Sequence, residues 1–365
     1  MIALIFIGFY FFALAVFAIG LRRGLQKKAG SHISGYPTVS VIVCARDEER
    51  NIDRCLESLS KLEYPHTSLE LIVVDDSSED STPYLLKKWS EKLPHLRILD
   101  LHGRERFAQG KVNALIQGID AATGEFICIT DADCTVSPCW VSNYVQWFSP
   151  GVGMVSSIAV LDSLAPFDAA QSCEMIQLLS MSMSAIDHGF SVSIIGNNLA
   201  LRKEAYEEIG GYRAIPFSIT EDIALFQAMW HSRWKVLFKG NDELLVQSKP
   251  PDSFRMWWRQ KQRWVVGGKA IEWPGAVILA LGYVGIAAIF IALCSSSPQQ
   301  LLLTIGLKFL ADLLILVPTM ISLKQLRLLP FFPVYELYLT FYLICVPIQF
   351  FQKKVTWKGR DYKTT

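Results

Sequence analysis

The sequence predicts an α/β domain with a mostly parallel sheet, joined at both ends to transmembrane helices. Three observations carry that reading. Charged side chains are absent from residues 1–21 and again between Glu272 and Lys308, whereas residues 37–260 have an ordinary soluble composition. Within that middle part, short β-rich apolar runs alternate with helical patterns, as strands joined by crossover helices do. Acidic or polar clusters stand directly after those runs, and in such sheets the ligand lies beyond the carboxyl ends of the strands.

Composition excludes several classes. The 365 residues are 51% apolar and carry Lys+Arg 35 against Asp+Glu 34, so the net charge of +1 excludes a basic nucleic-acid binder. Aromatics at 12% and a mean hydropathy of +0.29 exclude a disordered chain. None of the 8 cysteines forms a C-x-x-C pair, and Cys294 and Cys345 lie in membrane-like segments, which points to a reducing compartment for the middle domain. Cys134 and Cys139 have the wrong spacing for zinc and no nearby His pair.

The first element, residues 1–21, has the length needed to cross a hydrocarbon core of roughly 30 Å. No basic residue precedes it, while Arg22, Arg23, Lys27 and Lys28 follow; this reads as an anchor rather than a cleaved signal peptide. Those four cations place the N-terminus outside and the following residues inside. A C-terminal membrane region, 273–352, contains three apolar stretches, Trp273–Cys294, Leu301–Leu323 and Leu328–Gln352, with Ser295-Ser296-Ser297-Pro298 as an external turn. Three crossings would leave the 353–365 tail outside, yet its Lys353, Lys354, Lys358, Arg360 and Lys363 favour the inside. One stretch is therefore expected to be re-entrant or interfacial, and Pro330, Pro333 and Pro347 single out the last. Lys308 and Asp312 share a helix face inside the second stretch, either as an ion pair or near a polar head group.

The α/β domain spans residues 37–250. Val39–Cys44 is a buried strand, after which Ala45–Asn51 opens a helix. Leu71–Val74 is a second strand, ending in Asp75-Asp76-Ser77-Ser78; these carboxylates either cap a helix or accept a nucleobase N–H. Leu96–Leu99 is a third strand, and a helix over Gln109–Gly118 carries Lys111, which faces either solvent or a phosphate. Glu125–Thr130 is the fourth strand, closed by Asp131-Ala132-Asp133. Two hard carboxylates at that spacing suit a divalent cation whose shell a diphosphate completes. Thr220-Glu221-Asp222 opens a further helix, as a dipole cap or with one carboxylate placed to take a hydroxyl proton. Across 251–270, Trp257, Trp258 and the run Arg259–Trp264 mix indoles with cations, the composition of an amphipathic helix at headgroup depth.

In this order the segments resemble glycosyltransferase family 2, the inverting enzymes with a nucleotide-sugar-binding GT-A fold. The matching runs are VSVIVCARDEERNI, IVVDDSSEDST, QGKVNAL, ITDADC, GNNLALRKEAYEEIGGY, the TED at Thr220–Asp222 and the QxxRW at Gln260–Trp264, together covering residues 38–265. Asp47 departs from the family, which often has Asn there. The similarity is greatest to the membrane-embedded branch of ceramide glucosyltransferases and processive polysaccharide synthases, in some of which a segment like Val355–Arg360 lies near the active site. The resemblance implies that Ala45, Glu48, Asp75, Asp76, Lys111, Asp131, Ala132 and Asp133 hold the nucleotide sugar, with Asp133 on Mn²⁺ or Mg²⁺. It makes Asp222, beside Glu221, the general base, and gives Gln260, Arg263 and Trp264 the diphosphate and the acceptor.

The implied partners are a nucleotide-diphosphate sugar (commonly a UDP-sugar in this group), a lipid or glycan acceptor and the bilayer, without nucleic acid. The implied setting is the inner (plasma) membrane, crossed several times, with the catalytic domain cytoplasmic. The few C-terminal spans favour sugar transfer to a membrane lipid over a processive synthase extruding a β-linked glycan. A non-catalytic nucleotide- or glycan-binding subunit is the reading from another class; the retention of Asp131, Asp133 and Asp222 speaks against it.

Overall fold

The computed structural model describes residues 1–26, 35–295, 297–352, 354–357 and 360–363. Helix α1 (Ile2–Gln26) precedes β1 (Val39–Ala45), α2 (Ile52–Leu59), β2 (Leu69–Asp75), α3 (Thr82–Lys92), β3 (Leu96–Asp100), α4 (Gly110–Ala121) and β4 (Phe126–Asp131). The chain continues through β5 (Cys134–Thr135), α5 (Trp140–Val145), β6 (Val152–Ser157), β7 (Ala159–Leu161), α6 (Pro166–Asp187) and β8 (Asn198–Arg202). Then come α7 (Lys203–Glu208), α8 (Gly211–Ala214), α9 (Glu221–Trp230), β9 (Lys235–Lys239), β10 (Val246–Ser248) and α10 (Phe254–Gly267). The apolar helices α11 (Trp273–Ser295), α12 (Pro298–Ser322) and α13 (Phe332–Phe350) follow, and β11 (Lys354–Trp357) pairs antiparallel with β12 (Arg360–Lys363).

Seven strands form one sheet in the order β3-β2-β1-β4-β8-β6-β9. Its first half is parallel throughout, and β8 runs antiparallel to both neighbours. The pleat sorts β1 by parity: Val39, Val41, Val43 and Ala45 enter the core on one face, while Ile42 enters the core on the other. Burial on both faces is why these strands read as continuous apolar runs. A small sheet, β5-β10-β7, stands beyond β4. It pins the Asp131–Asp133 turn: the Lys249 amide after β10 donates to the Asp133 carbonyl at 3.1 Å, and Arg54 of α2 donates to it at 2.9 Å.

One local expectation fails. Ala45–Asn51 does not open a helix; it turns, with Asp47 at φ +53°, and α2 starts only at Ile52. The turn is locked to the loop after β2. Asp47 Oδ1 accepts the Glu79 amide at 2.8 Å, and the Asp47, Glu48 and Glu49 amides donate to Ser78, Thr82 and Asp80. These bonds consume donors that a continuing helix would have used on its own carbonyls.

Among the described residues, four helical stretches are long and apolar enough to cross a membrane: Ile2–Gln26, Trp273–Cys294, Pro298–Ser322 and Leu326–Phe350. Helix α1 continues past Leu21 through Arg22 and Arg23; Lys27, Lys28, Lys353 and Lys358 lie outside the described residues. The last stretch begins against the α/β domain and ends against α10. At its start Lys324 pairs with Asp242 at 2.6 Å and Leu328 O faces Cys173; at its end Gln349 donates to the Trp258 carbonyl and Gln262 bonds Gln352. Helix α6 lies between the sheet and the apolar helices, buried over most of its length.

Lys308 and Asp312 pair at 2.8 Å, and Lys308 also pairs with Glu336. Tyr10 and Gln177 donate to the same Asp312 oxygen at 2.5 and 2.7 Å. The group is a buried knot tying α1, α6, α12 and α13, so the ion-pair reading is the one realised. Breaking a buried pair from one side strands the other charge. Lys308→Met is therefore expected to destabilise by about 3–5 kcal/mol, read as a loss of melting temperature in detergent, whereas Lys308→Arg keeps most of it.

Candidate active site

Strand ends and helices together bring most of the expected side chains to one cleft of about 390 Å³. Its lining includes Glu48, Lys111, Asp131, Asp133, Glu221, Asp222, Gln260, Arg263 and Trp264. Asp131 ends β4; Lys111 stands in the first turn of α4; Glu221 and Asp222 open α9, whose dipole favours acids there. On α10, Gln260, Arg263 and Trp264 fall at i, i+3 and i+4 and so share one face. Residues from widely separated parts of the sequence thus converge.

Ala45, Asp75, Asp76 and Ala132 do not line that cleft. Ala132 is core, and Ala45 pairs in register with Asp75 at the adjoining strand end. Asp75 accepts the Ser78 amide at 3.0 Å and its hydroxyl at 2.6 Å; burial nonetheless holds its carboxyl above the usual range. The Asp76 carboxylate is met by Arg106 at 2.9 Å, its amide bonds the Ala45 carbonyl, and Arg46 donates to its carbonyl at 3.0 Å. This pair forms an annex one strand over from the cleft. The positive φ of Asp47 explains the departure noted in the sequence, because Asn and Asp are the two side-chain-bearing residues that tolerate αL best.

Lys111 sits between two carboxylates, at 2.5 Å from Asp131 and 3.2 Å from Glu221. Burial alone would depress its pKa, but those acids hold the ammonium well above the ordinary lysine range. Asp222 behaves oppositely: burial first, then the adjacent Glu221, push its carboxyl up to about 6, against the pull of Arg263, Lys111 and the Ile223 amide. Among the described residues, no three His, Cys, Asp or Glu side chains gather into a metal-binding group. Asp131 and Asp133 are hard donors on one turn, which fits a divalent cation that arrives with a diphosphate better than a resident ion.

Three contributions were not legible in the motifs, although Gly196 itself opens the GNNLALRKEAYEEIGGY run. A Cβ on Gly196 would stand 2.9 Å from the Asp222 Cβ, so only glycine lets that carboxylate seat. A Cβ on Gly267 would fall 2.2 Å from Thr220 Cγ2, so α10 docks on the TED turn through a bare backbone. Helix α6 adds Gln171 and Met175 to the cleft wall. Glycine motifs signal such contacts only once the partner segment is known.

The whole chain, residues 1–365, matches the model of glycosyl transferase family 21. It is 28% identical over 266 residues to the beta-monoglucosyldiacylglycerol synthase of Nostoc sp., covering 70% of this chain and 54% of that protein. The poly-beta-1,6-N-acetyl-D-glucosamine synthase of Staphylococcus epidermidis is 24% identical over 263 residues, covering 69% of this chain and 60% of the relative. The chain therefore spans little more than half the length of such relatives. Among solved structures, a mannosyltransferase from Pyrobaculum calidifontis in complex with GDP-Man and Mn²⁺ superposes with a TM-score of 0.64 at 22% identity, over 96% of this chain and 97% of that one. That likeness shows the fold. With the apolar ends matched as well as the α/β domain, the chain belongs to glycosyl transferase family 21.

Proposed function

We propose that this protein moves a sugar from a nucleoside-diphosphate donor to a hydroxyl of a membrane lipid, with inversion at the anomeric carbon, at the cytoplasmic face of the inner membrane. The observation that carries the proposal is the meeting of Asp131, Asp133, Lys111, Asp222 and the α10 face in one cleft. Asp131 and Asp133 would hold Mn²⁺ or Mg²⁺, which supplies charge neutralisation for the diphosphate. Lys111 and Arg263 are the cations that face the same anion, and such preorganised charge is where much of the barrier reduction comes from. Asp222 takes the proton from the acceptor hydroxyl as it attacks. Gln260 and Trp264 shape the acceptor side, and Asp76 with Arg106 offers an acceptor–donor pair to a base edge beside Ala45 and Asp75. Inversion is supported by the resemblance to family 2.

The lipid acceptor is supported by the apolar share of the lining, Leu161, Met175, Ile195 and Met256; of these, Met175 on α6 and Met256 on α10 stand on helices that pack against the apolar helices. It is also supported by the name of the Nostoc relative. The inside placement is supported by Arg22 and Arg23, and by the return of the last apolar stretch to α10. A polymer product is the second reading, and the Staphylococcus relative favours it. Membranes given radiolabelled UDP-glucose or GDP-mannose separate the two. Label extracted into organic solvent is expected; label left in a water-soluble polymer contradicts lipid transfer, and label remaining on nucleotide contradicts both.

The pH dependence follows from Asp222. A base must be ionised, so with its pKa at about 6 the rate should be flat above pH 7 and fall roughly tenfold per unit well below pH 6. A rate unchanged down to pH 4.5 would contradict the assignment.

A further inference from the structure

Glu174 of α6 and Lys261 of α10 form an ion pair at 2.5 Å, each side chain only 1% exposed. Tyr338 of α13 donates to the same Glu174 oxygen at 2.7 Å, and the Trp257 indole donates to Tyr338 at 3.2 Å. The Lys261 ammonium also lies 4.2 Å from the centroid of the Trp264 ring and 4.9 Å from that of Tyr342. Three helices therefore meet at one cation. Burial lowers the Lys261 pKa, and the Glu174 carboxylate opposes that.

Energetics argue against stability as the reason for this pair. Two buried charges gain from each other little more than they lose in hydration, and apolar replacements of the same volume are often as stable. The placement is more telling. Along α10, residues 257, 261 and 264 repeat at i, i+4 and i+7, so Lys261 sits on the stripe that ends in Trp264. Lys261 borders the cleft beside Gln260, whereas Gln262 turns away to Gln352. On α6, Glu174 adjoins Met175, which lines the same cleft. The pair thus joins the two helices that make one wall of the site.

We infer that Glu174 and Lys261 are positioning residues: their ion pair fixes the rotation of α10 about its axis, and the ammonium under Trp264 holds that indole at the acceptor side of the cleft. This rests on the proposed reading of Gln260, Arg263 and Trp264. A helix rotates 100° per residue, so even a modest roll would take Arg263 and Trp264 away from the cleft. The cation against the indole face adds a directional restraint that packing alone lacks.

The test uses the full-length protein in detergent–lipid micelles, with Lys261→Met, Glu174→Gln, the double variant and Lys261→Arg. Hydrogen exchange of the peptide spanning 254–267 reads the position of α10 without reference to activity; UDP and GDP titrations with Mn²⁺ read the donor side. Transfer from radiolabelled UDP-glucose or GDP-mannose to diacylglycerol reads the acceptor side. Lys261→Met is expected to speed α10 exchange at least tenfold, to lower kcat or raise the acceptor KM at least tenfold, and to change the nucleotide Kd less than threefold. The double variant should regain the wild-type melting temperature without regaining transfer, and Lys261→Arg should recover most of it.

Unchanged exchange in α10 for Lys261→Met overturns the inference. So does a double variant with native melting temperature and native transfer, or a nucleotide Kd that weakens as much as kcat falls, because Lys261 would then be a donor ligand. If the wild type itself transfers no sugar while α10 exchange still responds, the proposed function fails and the positioning role stands.

Discussion

Asp222→Asn should lower kcat by about 10²–10⁴-fold, the usual contribution of a positioned base, while the nucleotide Kd stays within a few-fold of wild type. The substitution is nearly isosteric, and its amide oxygen can still accept the Ile223 amide that Asp222 accepts at 2.9 Å. It removes a charge that both burial and Glu221 disfavour, as the raised pKa of about 6 records. Stability should therefore hold or rise as activity falls, and that opposite movement separates lost chemistry from lost folding. Thermal melts and single-turnover rates on one preparation check it; native turnover would remove Asp222 from the mechanism.

Lys111→Met should have the second large effect, and here folding and function fall together. The ammonium stands between Asp131 and Glu221, so its removal leaves two carboxylates facing each other with no cation between. Glu221 is buried but Asp131 is about a third exposed, so the stability cost should fall below the about 3–5 kcal/mol of a fully buried pair, and loss of the cation at the diphosphate should cost about 10²–10³ in rate. The companion Lys111→Met/Glu221→Gln removes one of the stranded charges. It should recover much of the melting temperature and none of the rate. Recovery of both would make Lys111 a purely structural counter-ion.

The parallel half of the sheet was legible because burial on both faces writes each strand as an apolar run, and the acids at the ends of β2 and β4 followed from it. The α10 face was legible as a spacing. What the sequence hid was contact between distant segments. Nothing local to Ala45–Asn51 tells that its amides will bond Ser78, Asp80 and Thr82, so the turn reads as a helix start. Nothing local to Asp76 shows that it stands beside the main cleft, held by Arg106. Lys261 reads as one more cation on an amphipathic helix until Glu174, eighty-seven residues away, is found against it. The prolines of the last apolar stretch hinted at its path, but only contacts with Cys173 and Trp258 place both its ends.

The most direct measurement is calorimetric titration of the purified protein with UDP and with GDP, each with and without Mn²⁺, on wild type, Asp133→Ala and Asp222→Asn. If a cation and a diphosphate are gripped jointly by the Asp131–Asp133 turn, one nucleotide should bind wild type and Asp222→Asn at least tenfold tighter with Mn²⁺, and Asp133→Ala should lose that gain. Equal affinity with and without Mn²⁺ in wild type, or an undiminished gain in Asp133→Ala, would contradict the account.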